Sequence, residues 1–336
     1  MNPVSGMLLL LMILAGCSPP PPVLELNGTT MGTHYSIKLG GMPDTQTLAV
    51  LKQQIESRLG EIDGQMSTYK QASELSRFNA NRSTDWIPVS RELVEVVSRA
   101  QHLSELSNGA FDTTVQPLVQ LWGFGSRKSD DHPPGQDQIL AVRHTIGYRQ
   151  LNWRKAPPAL RKDQPEIEVD LSAIAKGYAV DEIARVLDQA RLSHYLVEIG
   201  GELRSRGKRS DGQPWRIAIQ LPDAEAGSAH RIIEARDVAM ATSGDYRNYF
   251  EFGGIRYSHA IDPRSGWPVS HALASVTVMA DQCADADGLA TALFVMGPDP
   301  GLDFAEENGI AALFIIRGEQ GYQERTTSHF QAIVNH

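Results

Sequence analysis

From Tyr195 to about Ser258, strand signals succeed one another with no helix between them. Tyr195 to Ile199, Trp215 to Gln220 and Ile255 to His259 either alternate polar with apolar residues or cluster β-branched ones. Strands joined without crossover helices pair antiparallel, because a parallel pair needs a long connection, usually a helix. The pattern excludes a doubly wound sheet and predicts an α+β fold with a largely antiparallel sheet packed with helices. Further strands are expected at Tyr35 to Leu39 and Ser275 to Met279. Leu48, Leu51, Ile55, Leu59 and Ile62 recur at helical spacing behind Asp44 as N-cap. Leu93, Val94, Val97 and Leu103 mark a second helix after Ser90, ending near Gly109. Gly123 to Gln138, rich in Gly, Ser, Asp and Pro, reads as a long surface loop bordering a cleft. No linker or repeat interrupts residues 23–336, which are expected to form one body, as a single large domain or two intimately joined lobes.

The N-terminal residues 1–16 carry the apolar run Met7 to Ile13 and end in Leu14-Ala15-Gly16, directly before Cys17. Too short to span a bilayer, the run reads as a lipoprotein signal peptide whose removal leaves Cys17 as an acylated N-terminus. Met1 to Gly6 lacks the Lys or Arg that such a segment normally carries. Ser18 and Pro19 to Pro22 complete a semi-rigid tether, residues 17–22, and disfavour a buried N-terminal element. Cys283 is the other cysteine, so no internal disulfide is expected once Cys17 is acylated; its apolar context predicts an inert buried thiol. A net charge of −9 and the lack of any basic block exclude nucleic acid as a partner. An anionic ligand therefore needs local help from a metal, a helix end or single cations.

Several clusters carry chemistry. In VDLSAIAKGYAVD, a strand end runs into Asp170, Ser172, Lys176 and Gly177, where free N–H groups at a helix start can orient a charged ligand. An ordinary helix capped by Asp170 or Ser172, with Lys176 in solvent, fits equally. Met31 sits in Gly28 to Thr33, either a turn between strands or a close backbone approach to a ligand. Tyr69 is placed to stack on a planar ligand or to sit half-buried in the core. In GAFDTTV, Asp112 or Thr113 can cap the helix carrying Val115, Leu118 and Leu121, while the Gly and aromatic density through Trp122 to Gly125 suggests a wall for a flat ring. Gly200-Gly201-Glu202 needs nothing beyond a hairpin turn. His259, flanked by Ser258 and Asp262 at a strand end, is a candidate base. Asp287 and Thr291, four apart on a helix stopped by Gly297-Pro298, share one face and suit a hard cation; Asp285 caps that helix or complements its dipole. The Asp-x-Asp-Gly string is no EF-hand loop, for no glutamate follows at the required position.

Four strings in order, GTTMGTHY, GAFDTTVQPLVQLWGFG, VDLSAIAKGYAVD and TSGDYRNYFEFGGIRYSHAIDPRSG, closely resemble the ApbE family of FAD:protein FMN transferases, from about Gly28 to Gly297. The resemblance implies a T-fold-like body and a Mg²⁺-dependent enzyme. FAD would be split at its pyrophosphate, AMP released, and FMN attached by a phosphoester to a threonine or serine of an acceptor protein. Implied acceptors are subunits of sodium-pumping NADH:quinone reductase or Rnf-type complexes, and the implied location is the periplasmic face of the bacterial inner membrane, held there by the lipid. Ser18 after Cys17 leaves inner or outer membrane open. Matching positions imply FAD contacts at Met31, Tyr69, Ala110, Phe111, Asp112, Asp170, Lys176 and Ile261. They imply metal ligation by the Ala173 backbone oxygen with Asp287 and Thr291, and His259 as base. An FAD pyrophosphatase is the alternative within the same chemistry. A non-catalytic flavin-binding lipoprotein has less need of Lys176, His259, Asp287 and Thr291.

Overall fold

Eight strands form one sheet whose spatial order is the chain order, each antiparallel to its neighbour. They are β1 (Leu24–Thr30), β2 (Thr33–Leu39), β3 (Tyr195–Ile199), β4 (Glu202–Arg206), β5 (Ala239–Gly244), β6 (Leu273–Ala280), β7 (Ala311–Gly318) and β8 (Gly321–Thr326). This computed structural model describes residues 23–41, 44–125, 132–221, 230–245 and 248–335; the signal segment 1–16, Cys17 and the rest of the tether lie outside the described residues. The α+β class expected from the strand succession is the class observed. Two-residue turns set the register at both hairpins nearest the site. Met31 and Gly32 take φ of 49° and 74° between β1 and β2, and Gly200 and Gly201 take 64° and 111° between β3 and β4, the left-handed values that keep a hairpin's twist.

Helices enter as insertions in this meander. Between β2 and β3 come α1 (Thr45–Met66), α2 (Arg91–Leu106) and α3 (Ala175–Gln189); between β6 and β7 comes α4 (Cys283–Met296). Asp44 accepts from Thr47 N at 2.9 Å and Ser90 from Leu93 N at 3.2 Å, the caps expected of α1 and α2. Leu51, Ile55, Leu59, Ile62 and Met66 form the buried face of α1, which packs chiefly on α3 and more lightly on β1. α4 is apolar almost all round because it lies between the sheet and the other helices, with β5 and β6 on one side and α2 and α3 on the other. The opposite sheet face is covered by the hairpin of Trp215–Ile219 and Arg231–Ala235 and by Phe330 of the helix Ser328–Val334. A satellite cluster of Leu118, Trp122, Ile139 and Ile261 forms a smaller lobe beside the main body.

Local differences from the expected elements have physical reasons. The run before Leu171 belongs to no sheet strand. Val169 is instead pinned by Asn79, whose side-chain amide exchanges two 2.8 Å hydrogen bonds with its backbone, and Asp170 N donates to Thr113 O at 2.7 Å. Neither Asp170 nor Ser172 caps α3; Ile174 holds that position without a side-chain bond. The loop expected over Gly123 to Gln138 ends early, because Gln136–Arg143 is helical behind Gly135. Among the described residues no helix is long and apolar enough to cross a membrane.

Candidate active site

A cavity of about 390 Å³ opens where β5, α3 and α4 meet the smaller lobe, and most of the candidate residues line it. The local sequence explains why α3 and α4 meet so closely. At Gly177 any Cβ would stand 2.3 Å from Cys283 O, so only glycine allows the contact, and at Gly288 a Cβ would strike Leu103. Asp181 of α3 accepts from Cys283 N and Ala284 N, each at 3.0 Å, and caps α4 from a neighbouring helix. Asp285 pairs with Arg99 at 2.6 Å, so the cap comes from Asp181.

That close packing sets Lys176 and Asp287 against each other. Lys176 Nζ lies 3.2 Å from Glu202 Oε1, 3.7 Å from Asp287 Oδ1 and 3.4 Å from Ser172 O, and the side chain keeps 27% of its surface toward the cavity. It is therefore a wall residue and not a solvent lysine. Burial works against its ammonium, but Asp287 and Glu202 outweigh burial and raise its pKa above the ordinary lysine value. Burial raises both acids, Glu202 to about 8, with Asp287 adding repulsion and Lys176 opposing; for Asp287, Lys176 and the Gly177 amide oppose burial. Gly177 N donates to Asp287 Oδ2 at 3.0 Å, and Ala175 N is taken by Leu171 O at 2.8 Å. The start of α3 is thus already largely satisfied and is not the open anion cradle its sequence suggested.

Oxygen donors dominate this corner. Asp287 and Thr291 lie one turn apart on α4, Thr291 Oγ1 is 3.3 Å from Ser243 Oγ, and Ala173 is in the same wall. Two buried carboxylates share one ammonium, and Glu202 Oε2 is buried with no hydrogen-bond partner among the described residues. Hard oxygen donors around the buried Asp287 carboxyl group fit a cation such as Mg²⁺, whose arrival would also favour the ionised form of both acids. No group of three or more His, Cys, Asp or Glu suited to a metal occurs among the described residues, so an ion here would lean on carbonyl and hydroxyl oxygens and on its ligand.

His259 lines the same cavity. Its Nδ1 lies 2.9 Å from Asn248 O, and since a carbonyl only accepts, the proton sits on Nδ1 and Nε2 keeps a lone pair. Burial lowers its pKa, against the Asn248 carbonyl and Asp245, which favour the charged ring. Phe124 meets the ring edge-on at 6.4 Å.

The remaining candidates divide. Tyr69 stands on the rim, 66% exposed, its pKa raised by burial and by Asp170. Asp170 Oδ1 accepts from Ser172 N at 2.7 Å and Ser172 Oγ at 2.5 Å. Ala110, Phe111 and Ile261 supply buried apolar wall. Asp112 lines the cavity, but its carboxylate is occupied: Oδ1 accepts from Thr114 N and Oγ1, and Oδ2 from Tyr148 N at 2.8 Å. Met31, at the β1–β2 turn, is not part of the cavity wall. Trp122 is fully buried and donates to Gly266 O at 2.9 Å, so the expected aromatic wall is left to Phe111 and Phe124, with Gly125. Sequence reasoning missed Glu202, whose partner lies on another element, and Asn248, whose role is a backbone carbonyl. A larger groove of about 750 Å³ between α1 and α3 holds none of these residues.

The sequence matches the ApbE family over residues 31–314. It is 45% identical over 325 residues to the FAD:protein FMN transferase of Vibrio cholerae, covering 97% of each chain. To the protein of the same name from Escherichia coli K12 it is 36% identical over 333 residues, covering 96% of this chain and 95% of that one. Among solved structures, the flavin transferase ApbE from Vibrio cholerae superposes with a TM-score of 0.84 at 44% identity, over 93% of this chain and 100% of that one. The apo flavinyl transferase ApbE of Pseudomonas stutzeri gives 0.85 at 41%, over 94% and 98%. Sequence and fold agree along nearly the whole length, and the chain belongs to the ApbE family.

Proposed function

We propose that this chain transfers FMN from FAD to a threonine or serine hydroxyl of an acceptor protein, releasing AMP. The observation that carries the reading is the joint placement of His259, with Nε2 free to accept a proton, and of the Lys176–Asp287–Thr291 corner in one cavity wall. An imidazole held neutral suits the acceptor hydroxyl, a poor nucleophile until its proton is removed. Nε2 takes that proton as the alcohol oxygen attacks the FMN-side phosphorus; the bond to the bridging oxygen breaks, and AMP leaves with the electron pair. Lys176 offers a permanent positive charge to the phosphates of FAD, in a chain whose net charge is −9. Mg²⁺, held by Asp287, Thr291 and the Ala173 carbonyl, would supply charge neutralisation at the pyrophosphate. Ala110, Phe111, Ile261 and Phe124 give apolar surface for the flavin, with Tyr69 at the mouth and Asp112 and Asp170 shaping the loops; Met31 would act from outside the wall.

Acylation of Cys17 would hold the body at the periplasmic face of the inner membrane, near acceptor subunits of sodium-pumping NADH:quinone reductase or Rnf-type complexes. The test is incubation with FAD, Mg²⁺ and a threonine-containing acceptor domain, read by mass spectrometry and repeated with EDTA. A covalent FMN adduct that EDTA abolishes supports transfer. Free FMN and AMP without adduct would show a pyrophosphatase, and unchanged FAD a carrier.

A further inference from the structure

We infer that Lys176 serves as a resident cation for Asp287, and that Glu202 is the positioning residue that takes over its ammonium when a divalent ion arrives. The inference rests on the metal seat proposed above. A single ammonium spans both carboxylates, 3.2 Å from Glu202 and 3.7 Å from Asp287, and both acid side chains are at least nine-tenths buried. Glu202 Oε2 has no hydrogen-bond partner among the described residues, so in its ionised form Glu202 has a second oxygen in reserve beside the position Lys176 already holds.

Three properties follow from that arrangement. Without an ion, Asp287 keeps a positive neighbour and is not left as an isolated buried carboxylate, which would be strongly disfavoured. With an ion, the ammonium leaves Oδ1 by rotation of a flexible stem, with no backbone movement, and remains paired and charged. Glu202 thereby reduces competition between Lys176 and the ion for the same carboxylate.

Mn²⁺ titration of the full chain without FAD, followed by the EPR signal of the free ion, tests this apart from catalysis. Glu202→Gln is expected to weaken Mn²⁺ binding roughly 10–100-fold, the range for partners that orient a metal ligand. Lys176→Met is expected to strengthen it. The deciding comparison is the gain from Lys176→Met in the two backgrounds: handover requires a several-fold larger gain in Glu202→Gln than in the wild type. The double variant removes one charge of each sign and guards against misfolding of a single variant. Equal gains in both backgrounds would mean that Glu202 acts only as a nearby charge, and would overturn the inference while leaving the metal seat intact. Failure of the unaltered chain to bind Mn²⁺ would overturn the metal seat itself, and the inference with it.

Discussion

The backbone amide of Gly177 donates to Oδ2 of Asp287 at 3.0 Å, a bond that requires α3 and α4 to touch at their backbones. The glycine is what permits that contact, since the nearest atom to a Cβ would be the Cys283 carbonyl oxygen at 2.3 Å. Gly177→Ala should therefore push the helices apart, destabilise the chain by about 1–3 kcal/mol through overpacking, and weaken FMN transfer. Chemical denaturation and the adduct assay read the two effects; full activity at unchanged stability would contradict the packing argument.

Asp181 uses both carboxylate oxygens on the first amides of α4 while pairing with Arg204 at 2.6 Å. An asparagine has only one oxygen, so Asp181→Asn leaves one amide facing an NH₂ group. The expected loss is about 1–2 kcal/mol, the scale of a helix cap, read as a lower urea midpoint.

His259→Ala should reduce FMN transfer by roughly 10²–10⁴-fold while FAD binding persists. The working form of a base is the neutral one, and burial lowers the His259 pKa from its ordinary value of 6.5. The acid limb of the pH–rate profile in the unaltered protein should consequently lie below 6.5 and disappear in the variant. A limb that persists unchanged in His259→Ala would assign the titration to another group.

Lys162 is fully buried, donating to Asn79 O at 3.0 Å and Asn81 O at 2.8 Å at the end of the helix Glu74–Ala80. Burial lowers its pKa to about 8 from 10.5. Between those values the unfolded chain holds the proton and the folded chain does not, so this group adds stability as pH rises through that window. Lys162→Met loses both hydrogen bonds and that pH dependence. Denaturation of the two proteins from pH 8 to 10.5 should show the gap shifting in favour of the lysine; a gap constant with pH would refute the assignment.

Much of the framework could be read along the chain because it depends on neighbours in sequence. Asp44 and Ser90 cap the helices they precede, and α1 shows its buried face in the spacing of Leu51, Ile55, Leu59 and Ile62. The site was legible as motifs, and the cavity gathers His259, Lys176, Asp287, Thr291, Ala173, Tyr69 and Ile261 from segments far apart in the chain. The readings that failed were inferences about which partner a group would find. Asp170 looked like a cap yet turns onto Ser172, Trp122 looked like a ligand wall yet fills the smaller lobe's core, and the amides at the start of α3 looked free.

By itself, the sequence determined the antiparallel class, the helix starts and the residue types the chemistry needs, because propensity, capping and periodicity act over a few residues. Tertiary structure alone decided that Asp181 caps α4, that Asn248 orients His259, and that Glu202 shares Lys176 with Asp287. Those are contacts between elements brought together by burial, and a buried charge or amide takes whichever partner packing puts within reach.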